Sequence, residues 1–173
     1  MNEREDRRLR VLVGVDGSPA ARLALEFAVR EARLRDAMLV VVMSVELPDY
    51  AWIDPYEVNK HPEDATMDRA EHKLRTILSE MDTAGIDVDR VITTAPAPSA
   101  LVDRSAGAEL LVVGSRGHGG FRGLVMGSVS MQCMLHAHCP VAVVRPEPHP
   151  EEAVEHPHRT LAETRRQTTA TFI

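Results

Sequence analysis

Leu110-Leu111-Val112-Val113-Gly114-Ser115-Arg116-Gly117-His118-Gly119-Gly120-Phe121-Arg122-Gly123-Leu124-Val125-Met126-Gly127-Ser128 sets a short aliphatic run directly against a glycine-rich segment. The run Leu110–Val113 has the uniformly apolar character of a parallel strand buried on both faces, and Ser128–His136 has helix-forming character. Glycines between a strand and a helix have a physical task. Without a Cβ they take up positive φ and let successive backbone N–H groups converge on an anion. At Ser128 the helix start adds free N–H groups and the positive end of the helix dipole, and the Ser128 hydroxyl is a further donor. Arg116, His118 and Arg122 supply local positive charge. The stretch reads as a phosphate cradle at a strand-to-helix junction; a flexible connection without a ligand is the alternative for the same glycines. It is neither G-x-x-x-x-G-K-[ST] nor a complete G-x-G-x-x-G.

Outward from this junction, strand and helix alternate. Leu9–Val15 is a first strand ending in Asp16-Gly17-Ser18-Pro19, where Ser18 suits an N-cap and Pro19 the first helical position. Ala21, Leu25, Ala28 and Ala32 then recur at helical spacing, predicting a first helix to about Arg35. Met38–Val45 is a second strand. Residues 46–62 carry Pro48, Pro55 and Pro62 with Tyr50, Trp52 and Tyr56, predicting a long loop whose aromatic residues either cover a base or pack locally. Met67, Ala70, Leu74, Ile77, Leu78 and Met81 form the stripe of a second helix over 65–84, closed by Gly85. Val88–Thr93 is a third strand, 99–106 a third helix and Pro140–Val144 a last strand.

Five such alternations predict an α/β fold: a doubly wound five-stranded parallel sheet of order 3-2-1-4-5 with helices on both faces. In such sheets ligands bind at the carboxyl ends of the strands where the chain order reverses, here between strands one and four. Asp16 stands at that end of strand one. Its carboxylate can accept hydrogen bonds from ribose hydroxyls or an adenine amino group, or it can serve as an ordinary turn and cap residue.

With 173 residues, 44% of them hydrophobic, the chain suffices for one core. Residues 9–146 form the expected domain, 1–8 a charged lead, and 147–173 a polar tail of a composition that does not order itself. A net charge of −6 argues against a duplex nucleic acid partner. No apolar stretch approaches the roughly 20 residues that span a bilayer. The start MNEREDRRLR has no apolar signal core, so a cytoplasmic location is expected. Cys133 and Cys139 are expected as free thiols. With His136 and His138 they also invite a metal reading, but four ligands packed so closely across a helix end and a proline turn would rarely converge tetrahedrally.

The residues that carry these readings resemble the universal stress protein family over about residues 9–146. The family's ATP-binding members are marked by G-x-x-G, nine residues, then G-[ST]. Here Gly114-x-x-Gly117, residues 118–126 and Gly127-Ser128 match without a gap. Val15-Asp16-Gly17-Ser18 looks like the family's strand-one signature, and Gly127-Ser128-Val129-Ser130 through Cys139-Pro140-Val141 resembles its last helix and strand. The resemblance implies a Rossmann-like nucleotide-binding domain and ATP, with Mg2+, as ligand, or AMP. Asp16 would contact ribose or base and Val45 adenine. Gly114, Gly117, Gly127 and Ser128 would hold phosphates, Val129 would line the pocket, and Val15, Gly17, Ser18, Ser115, Arg116, His118 and Ser130 would complete the site. Where many relatives carry Gly-x-Pro this chain has Ala95-Pro96-Ala97-Pro98, which alters the pocket on that side. The family also implies a homodimer through the last strand, Val141–Val144, an edge that a second chain can extend. The function implied is a nucleotide-dependent stress-response module acting on a downstream protein partner. A slow ATPase or a phosphoryl or nucleotidyl transferase is the alternative, set against the missing loop lysine and, Asp16 apart, the absence of an acidic pair at the strand ends.

Overall fold

Strand one, β1 (Arg10–Gly14), pairs on one side with β2 (Met38–Ser44) and on the other with β4 (Leu110–Gly114). With β3 (Val88–Thr93) and β5 (Val141–Val144) they form a parallel sheet of order β3-β2-β1-β4-β5, the expected one. The computed structural model describes residues 8–47, 62–117 and 126–146. Most of the charged lead, the aromatic residues Tyr50, Trp52 and Tyr56, His118 and Arg122 of the glycine-rich segment, and the tail 147–173 lie outside the described residues.

Each central strand is buried on both faces, and the two-residue period of a strand sorts its side chains. Val11 and Val13 of β1, Leu39, Val41 and Met43 of β2, and Leu110 and Val112 of β4 join one core cluster. Their alternates Leu12, Val40, Val42, Leu111 and Val113 join the other. Helix α1 (Pro19–Leu34) and helix α2 (Pro62–Ser79) cover the first face. Helix α3 (Ala97–Ser105) and helix α4 (Ser128–His136) cover the second, through Ala100, Leu101 and Cys133. Each fully buried leucine, Leu12 or Leu111 for example, contributes about 2 kcal/mol by removal from water.

Helix α1 starts where the sequence placed it. Ser18 Oγ accepts a hydrogen bond from the Ala21 N–H at 3.2 Å, and Pro19 occupies the first turn. Helix α2 differs from its expected span: it begins at Pro62 and stops at Ser79, before the expected 84. The reason is tertiary. Arg33 of α1 donates to the Asp82 carbonyl at 2.8 Å and to its carboxylate at 3.3 Å, while Asp82 Oδ1 accepts from Ala84 N–H at 3.2 Å. These bonds hold 80–86 as turns and leave Gly85 in the approach to β3. Helix α3 also begins two residues early, at Ala97. Pro98 falls in its first turn, where the N–H that proline lacks would have had no helical partner.

Candidate functional site

The carboxyl ends of β1, β2 and β4 and the first turns of α1, α3 and α4 enclose a cavity of about 470 Å3. It lies at the switch point between β1 and β4, as the fold rule requires. Val15, Asp16, Gly114, Arg116, Gly117, Gly127, Ser128, Val129 and Ser130, all expected site residues, line it. Segments some hundred residues apart in the chain are thus brought together. Asp16 and Arg116 are the charged side chains on its wall among the described residues.

The glycines have distinct tasks. A Cβ at Gly114 would fall 2.7 Å from the Ala20 carbonyl carbon and 2.8 Å from the Ala21 nitrogen, so this glycine admits the backbone of α1 against the end of β4. A Cβ at Gly117 would fall 2.5 Å from Asp16 Oδ2. At Gly127 a Cβ would meet ordinary contacts among the described residues, Arg116 Cα and the Ser115 carbonyl oxygen at 3.6 Å, and its φ of −80° suits any residue. Its N–H donates to the Ser115 carbonyl at 2.7 Å, and the Ser115 N–H donates to Val144 at 2.7 Å. The two ends of the glycine-rich segment are thereby pinned together and to β5.

Helix α4 opens onto the cavity without a side-chain cap. Gly127 is the N-cap residue, and the first intrahelical bond runs from Met131 N–H to the Gly127 carbonyl at 3.0 Å. The N–H groups of Ser128, Val129 and Ser130 therefore have no partner among the described residues, the condition in which a helix start accepts an anion. Ser130 Oγ donates to the Gly114 carbonyl at 2.6 Å and fixes this start against β4. On the other wall Asp16 Oδ1 accepts from Ser18 N–H at 2.8 Å. Asp16 therefore shapes the turn, while Ser18 is the residue that caps α1.

Four expected residues stand elsewhere. Val45 does not line the cavity: its side chain packs with the core cluster beneath α1 and α2, and its N–H donates to Thr93 at 2.9 Å. Strand alternation gives the reason, since Ser44, one residue earlier, reaches the cavity instead. Ser18 is buried, its hydroxyl donating to the Arg116 carbonyl at 3.4 Å. Gly17 borders a second cavity of about 200 Å3 with Val15, Arg22, Ile77 and Glu80. Ser115 is buried, and its hydroxyl has no hydrogen-bond partner among the described residues.

Sequence reasoning did not name as site residues Gly14, Ala21, Val42, Leu101, Val113 and Met126, which give the wall most of its apolar area, nor Ser44 beside them. Ala97, in the Ala95-Pro96-Ala97-Pro98 segment already singled out for the pocket, and Leu101, one helical turn further on, line it on that side. Sequence reasoning also missed Lys73, whose ammonium donates to the Asp16 carbonyl at 2.5 Å.

The four metal-type side chains near the end of α4 do not assemble into a site: among the described residues no group of three or more His, Cys, Asp or Glu could hold an ion. Cys133 and Cys139 are free. Burial, with a smaller contribution from Cys139, pushes the Cys133 thiol up to about 11. Burial also raises Cys139. Among the described residues no helix is long and apolar enough to cross a membrane.

The profile of the universal stress protein family matches residues 8–145. Universal stress protein Rv2623 of Mycobacterium tuberculosis is 36% identical over 153 residues, covering 84% of this chain and 52% of that protein. The chain spans about half the length of the curated relatives it matches. A universal stress protein from Archaeoglobus fulgidus superposes with a TM-score of 0.60 at 25% identity, covering 82% of this chain and 96% of that one. A universal stress protein solved in complex with cAMP superposes with a TM-score of 0.57 at 21% identity, covering 80% of this chain and 98% of that one.

Proposed function

The chain belongs to the universal stress protein family, and from that premise we propose that it is a module that holds ATP, or AMP, in the cavity at the ends of β1 and β4. The observation that carries this reading is the uncapped start of α4, with the N–H groups of Ser128, Val129 and Ser130 at a cavity wall. The phosphates lie there, with Arg116 adding charge. Ribose and base extend toward Asp16 and the apolar wall of Val42, Leu101 and Val113. Mg2+ enters as MgATP, held by phosphate oxygens and water, because Asp16 is the only carboxylate on the described wall.

Binding, more than turnover, is the task this wall supports. Among its described residues it offers one carboxylate, already bonded to Ser18 N–H, and the loop carries no lysine. The nucleotide then acts as a signal to a downstream protein, in the cytoplasm.

A homodimer through β5 fits the same reading. The sheet has two edges, and they differ in chemistry. β3 carries exposed Asp89 and Arg90, charges that discourage strand addition, whereas β5 is Val141-Ala142-Val143-Val144 without a charge. ATP is expected to raise the melting temperature of the purified chain, and Asp16→Ala or Gly127→Ala to remove most of that rise. Equal protection of the wild type and both variants would sink the site assignment. The cAMP complex of a protein with this fold makes a single-phosphate nucleotide the natural second probe.

A further inference from the structure

We propose that Ser44 is a specificity-determining residue for this cavity: its hydroxyl oxygen accepts a hydrogen bond from the 6-amino group of adenine and rejects purines that carry a 6-oxo group. The inference deepens the nucleotide reading above and rests on it.

β4, β1 and β2 lie side by side in the sheet. Neighbouring strands stand about 4.8 Å apart, so the ends of β4 and β2 are separated by about 10 Å. A nucleotide spans a comparable distance from its first phosphate to the far edge of its purine. With the phosphates at the start of α4 beside β4, and the ribose at Asp16 after β1, the base falls over the end of β2. Val42 and Ser44 are two residues apart on β2 and share the face that borders the cavity. Val42, Ala97 and Leu101 make this end of the wall apolar, and Ser44 sets a hydroxyl among them.

The proton of that hydroxyl is already committed. Ser44 Oγ lies 2.7 Å from the Ala95 carbonyl oxygen, which has no proton to give, so the serine hydroxyl is the donor. The carbonyl is itself held in place. Ala95 N–H donates to Thr93 Oγ1 at 3.1 Å, Thr93 is the register partner of Ser44 across β2 and β3, and Val45 N–H donates to the Thr93 carbonyl at 2.9 Å. Ser44 therefore offers a ligand only lone pairs, and among the described residues no donor meets them. An amino group satisfies such an oxygen. A keto oxygen sets acceptor against acceptor and leaves both unpaired. A polar group placed in this way discriminates more sharply than an apolar pocket does against a small change of size.

Calorimetric titration of the wild type and Ser44→Ala with three ligands tests this: ATP, purine riboside triphosphate, which lacks the 6-amino group, and ITP, which carries oxygen in its place. The wild type should bind purine riboside triphosphate roughly three- to tenfold more weakly than ATP, the worth of one hydrogen bond, and ITP more weakly still. Ser44→Ala should bind ATP and purine riboside triphosphate within about twofold of each other, its loss falling on ATP. A wild type that binds all three alike would overturn the inference without recourse to any variant. Equal losses of ATP and purine riboside triphosphate in Ser44→Ala, or a preference for ATP that the substitution leaves unchanged, would overturn it too, while the nucleotide reading stands. A wild type that binds none of the three would overturn the nucleotide reading itself and this inference with it.

Discussion

The Asp16 carboxylate occupies the space that a side chain at position 117 would need: a Cβ on Gly117 would fall 2.5 Å from Asp16 Oδ2. The two motifs that mark the site, one after β1 and one after β4, are therefore a single packed unit. Gly117→Ala should act mainly by displacing Asp16. It is expected to lower nucleotide affinity by roughly tenfold, about 1.4 kcal/mol, and to add little when Asp16 is already alanine. Calorimetric titration of the two single variants and the double variant checks this, and fully additive losses would show that Gly117 contributes on its own.

Gly114 and Gly127 should separate stability from binding. Gly114→Ala places a methyl group against the backbone of Ala20 and Ala21, neither of which can move without shifting α1. A cost of about 1–3 kcal/mol in unfolding free energy is expected. Among the described residues Gly127→Ala meets only ordinary contacts, and it keeps the N–H bond to Ser115, so its unfolding free energy should stay within about 0.5 kcal/mol of wild type while its nucleotide affinity falls. Urea denaturation beside ligand titration tests the contrast, which fails when both variants lose stability alike.

The doubly covered parallel sheet was readable because each central strand is apolar on both faces, and its order followed from the strand-and-helix alternation of a doubly wound fold. The start of α4 at Ser128 was readable for a related reason, since glycines and an aliphatic run bracket it. Other features depend on partners far along the chain. The end of α2 at Ser79 follows from Arg33 gripping Asp82, and Gly114 is required by Ala20; no local pattern announces either. The substitution of Ser44 for Val45 at the cavity is different in kind. The period of two along β2 decides it once the opposite face is known to carry the cavity, and the sequence alone did not say which face that was.

Edge chemistry predicts the assembly. Wild-type chain should sediment as a dimer at micromolar concentration, and Ala142→Lys, which puts a charge on β5, should shift it to monomer with its helical circular dichroism retained. A wild-type monomer, or a variant dimer of unchanged affinity, would place the contact elsewhere.

Cys133 sets an alkaline limit. Below pH 9 its thiol keeps its proton in both states. Between pH 9 and about 11 the unfolded chain releases that proton while the buried thiol retains it, so stability falls as pH rises through this window. The full effect is about 2–3 kcal/mol. Cys133→Ala removes it at the cost of a small cavity, so the stability gap between wild type and variant should be widest at pH 8 and close by pH 10.5. A gap that stays constant across this range would contradict the assignment.

Titration of isotope-labelled, ligand-stripped chain with ATP, followed by backbone amide shifts, tests the central claim most directly. The account predicts saturable binding of one ATP per chain, with the largest shifts at the amides of Ser128, Val129 and Ser130 and at the Asp16 turn. Absence of saturable binding at millimolar ATP, or shifts centred away from the start of α4, would contradict it.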